Sequence, residues 1–314
     1  MRAGREVGGT VFVLGAAMLW GISATAAQYL QSHGVSTILI VQMRVTLSCL
    51  LLLAACLLFR RDLFRVRLRD LGRLALLGII GIAGANFTYY ATMKQSTVAT
   101  GILLQYIAPL AVVGYTVLAG EESLTARKVV AALLSLAGCF FAVGGAGAAG
   151  ILITPGALAT GLISMFCFAF LTVFSRHLLA RLSTWTVILY ALCFASLFWL
   201  VVHPPGVLLM ERHDGATWGT LFLLALASVL FPYLLYFTGL RRIPASRAII
   251  TGTAEPVVAI VSAAVLLGEA LDAGRIFGAL IVLAAIIILQ TGEAREGAAE
   301  GRGESFREQE DHGA

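Results

Sequence analysis

Charge is what this chain has least of. Only 12% of its 314 residues are Asp, Glu, Lys or Arg, while 59% are hydrophobic, and the mean hydropathy is +0.92. A soluble domain carries about a quarter of its residues as charges, so a water-facing globular skin is excluded. Ten-residue stretches of alternating polarity are missing too, which excludes a membrane β-barrel. No P-loop, GxGxxG after a strand, HExxH or GxSxG occurs, so this chain alone does not drive transport with ATP. The cysteines are few: Cys49, Cys56, Cys139, Cys167 and Cys193, all inside apolar runs and never as CxxC. They read as small buried hydrophobes, and neither a metal nor any other cofactor is expected. Paired intramembrane aspartates and Ser-His arrangements are absent from the apolar runs. His177 and His203 fall at the ends of such runs, so the chain does not read as an enzyme.

What is present is long apolar runs. A helix needs about 20 apolar residues to cross about 30 Å of hydrocarbon. Ten runs meet that length, at 9–30, 36–59, 71–93, 97–118, 126–146, 156–178, 184–203, 217–240, 245–267 and 273–291. Arg2 and Arg5 precede the first run, and Ala24-Thr25-Ala26 resembles a signal-peptidase site. That run goes past the length of a signal peptide, so residues 1–30 are expected to be retained. The tail 292–314 is polar, rich in Gly, Glu and Arg, and expected to be disordered and cytoplasmic.

Residues 89–136 and 236–283 read as one text written twice, displaced by 147 positions. Tyr89 falls on Tyr236, Pro109 on Pro256, Glu122 on Glu269, and Leu136 on Leu283. Each copy holds five runs, an odd number, so the second enters the membrane from the opposite side. The expected fold is all-α and integral to the membrane: ten transmembrane helices in two inverted five-helix repeats, 9–146 and 156–291. Such repeats are the ground plan of many secondary transporters. With the N-terminus in the cytoplasm, eighteen Lys and Arg lie on the inner side and only Lys94, Arg212 and Arg275 on the outer. That bias is a positive-inside signal. It accounts for the net charge of +5 through anionic lipid headgroups, with no nucleic acid required.

In its motifs the chain resembles the drug/metabolite transporter superfamily, in particular proteins with paired EamA domains. The first half carries Leu19-Trp20-Gly21, Met43-Arg44, Tyr89-Tyr90-Ala91, Ile107-Ala108-Pro109 and Gly120-Glu121-Glu122-Ser123-Leu124-Thr125. The second carries Ala254-Glu255-Pro256 and Leu267-Gly268-Glu269-Ala270-Leu271. Their order, spacing and doubling over roughly residues 10–290 carry the resemblance. It implies a ten-helix carrier of the inner membrane with both termini cytoplasmic. It also implies a central cavity lined by the first, third, fourth, sixth, eighth and ninth helices, and export of small metabolites, amino acids or drugs. One departure stands out: the counterparts of Trp20 and Arg44 in the second half are Cys167 and Ala191, so an asymmetric binding site is expected.

Two charges lie deep inside the runs, Arg44 and Glu255. Either would cost about 2.5–3.5 kcal/mol if it faced lipid at the bilayer centre, so both are expected to face the interior. At a rise of about 1.5 Å per residue, Arg44 lies roughly 12 Å below the outer surface and Glu255 roughly 15 Å from the inner one. Glu255 reads either as a proton-coupling or cation-binding carboxylate, exchanging a proton in each transport cycle, or as a structural acid, hydrogen-bonded or paired with Arg44. Arg44 reads either as a packing residue or as a two-pronged holder of a substrate carboxylate. Pro109 and Pro256 occupy equivalent places in the fourth and ninth runs, where matched helix interruptions point to a binding site and to hinges. Asn86 and Tyr90 share a helix face. With Trp20, Gln105, Tyr106, Tyr233, Tyr236 and Thr251 they describe an amphipathic pocket with aromatic walls. Tyr89 and Lys94 read as interfacial anchors, Gly78, Gly81 and Gly84 as a close-packing stripe, and Glu122 and Glu269 as structural acids at helix starts. The expected function is secondary transport of small organic solutes by alternating access, driven by protons or another gradient. The other reading is a non-transporting membrane sensor or assembly partner. The expected partners are a small-molecule substrate and the bilayer, and a homodimer is compatible with the sequence.

Overall fold

The computed structural model describes residues 2–144, 153–204 and 213–291, and among them there are helices and no strand. The expected tail 292–314 lies outside the described residues. Among the described residues, twelve helical elements of eight residues or more follow one another, with a short 3-10 turn at Arg61–Phe64 after the second. They are α1 (Arg2–Ser32), α2 (Thr37–Phe59), α3 (Leu68–Gln95), α4 (Val98–Gln105), α5 (Ala108–Leu118) and α6 (Ala126–Ala142). Then come α7 (Pro155–Leu179), α8 (Thr184–Val202), α9 (Gly215–Leu240), α10 (Ala245–Gly252), α11 (Ala254–Leu267) and α12 (Ala273–Thr291).

Among the described residues, nine helical segments are long and apolar enough to cross a membrane, counting α4 with α5 and α10 with α11 as one each. The protein is a multi-pass membrane protein. The remaining expected crossing corresponds to α6, which has 17 residues and a length of about 25 Å. Hydroxyl and carboxylate N-caps start many of the helices. Ser36, Thr97, Thr125, Thr154, Ser183 and Asp214 each accept a first-turn N–H, meeting donors that have no partner within the helix.

The 147-residue displacement reappears in the elements. α4 and α10 are both eight residues long and start 147 apart. α3 and α9 each widen into a π-helical turn, at Leu77–Gly84 and Leu226–Leu230. The expected kinks at Pro109 and Pro256 take a different form. The chain breaks before each proline, at Tyr106–Ile107 and at Thr253, and a new helix begins. Each proline then lies in the first turn of α5 or α11, where its missing N–H costs no helical hydrogen bond.

The two halves interlock. α1 packs along α9 and α11, and its counterpart α7 packs along α3, α4 and α5. One cluster of buried apolar residues correspondingly spans both halves, running from Val13 and Ala16 of α1 through Leu171 and Ala195 to Tyr236 and Phe237. The glycine stripe of α3 faces the other half: a methyl on Gly78 would run into the Ala191 carbonyl oxygen, and one on Gly81 would lie 3.2 Å from the Leu171 side chain. The five cysteines are free. Four are buried and Cys193 is half-buried.

Candidate transport site

Two faces of the bundle can be told apart by their loops. The mouth face carries the α1–α2, α3–α4 and α11–α12 connections. The basal face carries the α5–α6 and α9–α10 connections. A cavity of about 570 Å³ runs from the mouth face into the middle of the bundle. Gln31, Met93, Thr97, Glu269 and Arg275 stand at its mouth, and Trp20, Arg44, Tyr233 and Glu255 at its inner end.

The inner end is built by close approach. A methyl on Gly21 would sit 2.7 Å from the Glu255 carbonyl oxygen, so glycine lets α1 meet the start of α11. Trp20 then donates its indole N–H to the Ser228 carbonyl at 3.0 Å, within the wide turn of α9. Its ring meets Tyr233 edge-on at 5.6 Å between centroids. Glu255 accepts a hydrogen bond from the Tyr106 hydroxyl at 2.9 Å, across the break between α4 and α5.

Arg44 stands apart from Glu255, and no ion pair joins the two among the described residues. The Arg44 guanidinium reaches the Tyr90 hydroxyl at 3.4 Å. Its Nε is buried yet makes no hydrogen bond among the described residues. Of the two structural arrangements considered for Glu255, the structure holds the hydrogen bond, from Tyr106, and not the pairing with Arg44. A buried donor left unmet is costly; the Arg44 side chain as a whole lines the cavity.

Of the twelve residues picked from the sequence, the cavity gathers Trp20, Arg44, Asn86, Tyr90, Gln105, Tyr106, Tyr233, Glu255 and Pro256. Asn86 donates to the Ile82 carbonyl at 2.7 Å and Gln105 to Ser164 at 3.1 Å, so both are anchored. The cavity does not reach the other three. Tyr236 is 0% exposed, and its hydroxyl lies 3.0 Å from that of Thr172. Thr251, also 0% exposed, accepts from Gln290. Pro109 is buried in the packing of α5. Of these, Tyr236 stands behind the cavity wall, its ring 5.4 Å from that of Trp20.

The walls also contain residues the sequence did not single out for binding: Tyr89, Ser23, Phe168, Ser228, Glu269 and Arg275. Tyr89, expected as an interfacial anchor, packs on Tyr90 at 5.3 Å within the wall. Glu269 and Arg275 lie at the mouth, 3.3 Å apart. Their signal in the sequence was the doubling itself, because Glu122 and Lys128 hold the same offsets in the first half.

Below Glu255 the bundle is shut. A methyl on Gly239 would sit 2.8 Å from the Gly9 carbonyl oxygen, so α1 and α9 touch there. Arg247, only 5% exposed, pairs with Glu6 at 3.3 Å and donates to Gln290. Arg247 is thus a further interior charge beside Arg44 and Glu255, which its place at the edge of an apolar run concealed. Glu122 closes the basal side of α10, as its carboxylate accepts the Ser246 N–H at 3.3 Å and the Ser246 hydroxyl. The described residues include no group of three or more His, Cys, Asp or Glu placed to hold a metal ion.

The cavity, its interior charges and its broken helices form the setting in which the likenesses to other proteins bear on function. A relative in Salmonella typhimurium, the inner membrane transporter YicL, is 26% identical over 294 residues, covering 91% of this chain and 96% of its own length. A transporter of Archaeoglobus fulgidus is 26% identical over 276 residues, covering 85% and 92%. A crystal structure matches the fold with a TM-score of 0.76 at 22% identity, over 91% of this chain and 98% of the other. The profile of the EamA-like transporter family matches this chain twice, over residues 7–144 and 155–291. The chain belongs to the EamA-like transporter family.

Proposed function

We propose that the protein is a secondary carrier that moves small organic solutes across the inner membrane by alternating access. The observation that carries this reading is the single-ended cavity. It opens at the mouth face, ends against Glu255 and Arg44, and is shut beneath them by packed glycines, the Glu6–Arg247 pair and the Glu122–Ser246 contacts. A carrier needs a central site exposed to one side at a time.

The double family match, the equal lengths of α4 and α10 and the reciprocal packing of α1 and α7 support two inverted repeats, 9–146 and 156–291. Broken helices at the site fit the same plan. The basic bias of the loops supports cytoplasmic termini, which would turn the mouth outward; export is the direction that the family resemblance suggests. Arg44 lines the cavity and offers its guanidinium to a substrate carboxylate. Trp20, Tyr90 and Tyr233 offer aromatic surface, and Gln105 and Asn86 add hydrogen bonding. An amino acid or small aromatic metabolite suits this set.

Glu255 is the coupling group in this reading, a carboxylate in the protein interior held by one tyrosine hydroxyl. In proteoliposomes, Glu255→Gln is expected to abolish solute movement driven by a pH gradient, by tenfold or more, while sparing substrate counterflow. Gradient-driven transport at the wild-type rate in that variant would remove Glu255 from the coupling step.

A further inference from the structure

Glu122 and Glu269 stand in two copies of one small module. The Glu122 N–H donates to the Thr116 carbonyl at 3.0 Å, and the Glu269 N–H to the Ala263 carbonyl at 3.4 Å. Thr125 caps α6 by accepting the Lys128 N–H at 3.3 Å, and Asp272 caps α12 by accepting the Arg275 N–H at 2.9 Å. Lys128 pairs with Glu122 at 3.0 Å, and Arg275 with Glu269 at 3.3 Å. Every position in one module maps onto the other by the same displacement of 147.

One contact breaks the match. Glu122 crosses to the other half and seizes the first turn of α10 through Ser246. The displacement carries Ser246 onto Ala99, in the first turn of α4. Glu269 does not cap α4. It accepts from Gln28 at 2.8 Å instead, and Glu269, Thr97 and Ala99 all border the open mouth. The contact that exists shuts the basal face, and the contact that is missing lies where the bundle is open.

We propose that Glu122 and Glu269 are alternating latches, each closing its own face by capping the short helix of the opposite half. This inference rests on the alternating-access reading. In the state seen here Glu122 holds α10 and the basal face is shut. In the opposite state Glu122 releases Ser246, Glu269 leaves Gln28, and its carboxylate caps α4 at Ala99 and seals the mouth. First-turn N–H groups lack intrahelical partners, and a carboxylate is favoured there. The latches are unequal. Ser246 gives Glu122 an N–H and a hydroxyl, whereas Ala99 has only its N–H to give. The mouth-open state is therefore the resting one, and the hydroxyl of Ser246 sets the bias.

The test replaces the five native cysteines and places single probes. Thr251→Cys is buried in the resting state and becomes reachable from the basal side only in the other. Ala24→Cys lies in the cavity wall and reports the open mouth. Membrane-impermeant maleimide labelling is followed in vesicles that are also assayed for substrate counterflow. Ser246→Ala and Ala99→Ser are each expected to raise basal labelling at Thr251→Cys about tenfold, the size of one hydrogen bond to a charged group, and to slow labelling at Ala24→Cys. Glu269→Gln is expected to lower the basal labelling rate. If both hydroxyl swaps leave both probes within twofold of their background while counterflow persists, the latches are wrong and the carrier reading stands. If the cysteine-replaced parent catalyses no counterflow while the unaltered protein does not either, the carrier reading falls, and the latch proposal with it.

Discussion

At the scale of single residues, Glu122 shows how a buried acid can remain charged. Its side chain is only 8% exposed, and Lys128 beside it is 11% exposed. Burial works to raise its pKa, but hydrogen bonds from Ser246 and Lys128 and the lysine charge outweigh it, so the carboxyl titrates below the usual range. A folded pKa below the unfolded one stabilises the fold above the ordinary carboxylate value, near 4.3, and that stabilisation is lost as pH falls through the lowered value. Glu122→Gln leaves a buried lysine without its counter-charge, which costs about 3 kcal/mol. Thermal unfolding in detergent should therefore show a large deficit for Glu122→Gln at pH 7. The deficit should shrink as the pH is taken below about 4 and the wild-type carboxylate is protonated. A deficit independent of pH would mean that packing, not charge, gives Glu122 its role.

Whole elements are positioned by what they lack as much as by what they carry. α3 approaches α8 because Gly78 has no side chain, and the atom a methyl would meet is a backbone oxygen that cannot swing away. Gly78→Ala is expected to destabilise the bundle by about 1–3 kcal/mol through overpacking. Gly114→Ala, where a methyl meets nothing within 4 Å, should be neutral or slightly favourable by helix propensity. Equal melting of the two variants would deny α3 its close contact. This packing role was legible from the glycine spacing, and the interior placement of Arg44 and Glu255 was legible because a charge inside an apolar run has few places to go. The faces of the helices were harder to read. A helix apolar all round gives no contrast between lipid and core, which is why Tyr236 and Thr251 look like pocket residues in sequence but pack outside the cavity. Arg247 was hidden for another reason: its partner Glu6 lies 241 positions away in the chain, and only folding brings them together.

At the scale of the molecule, the carrier reading depends on how many times the chain crosses the bilayer, and α6 is where that number is decided. Its 17 residues span about 25 Å, slightly less than the hydrocarbon thickness. Its two ends nevertheless lie at opposite faces. Lys128 in its first turn pairs with Glu122 beside Ser246 at the basal face, while Ala142 at its end borders the cavity with Gln31 and Thr97 at the mouth. Such a helix traverses the bundle, packed on α12 where a methyl on Gly138 would meet Val282. In the proposed ten-crossing topology both termini lie on one side, and the basic bias of the loops favours the cytoplasm for that side. Fusions of a fluorescent reporter active only in the cytoplasm to the N-terminus, and separately to the C-terminus, should both be bright, whereas a reporter active only outside should be silent at both. A bright outer reporter at one end alone would remove α6 from the count and leave halves of unequal parity. Two inverted repeats exchanging outward and inward openings would then no longer describe this chain.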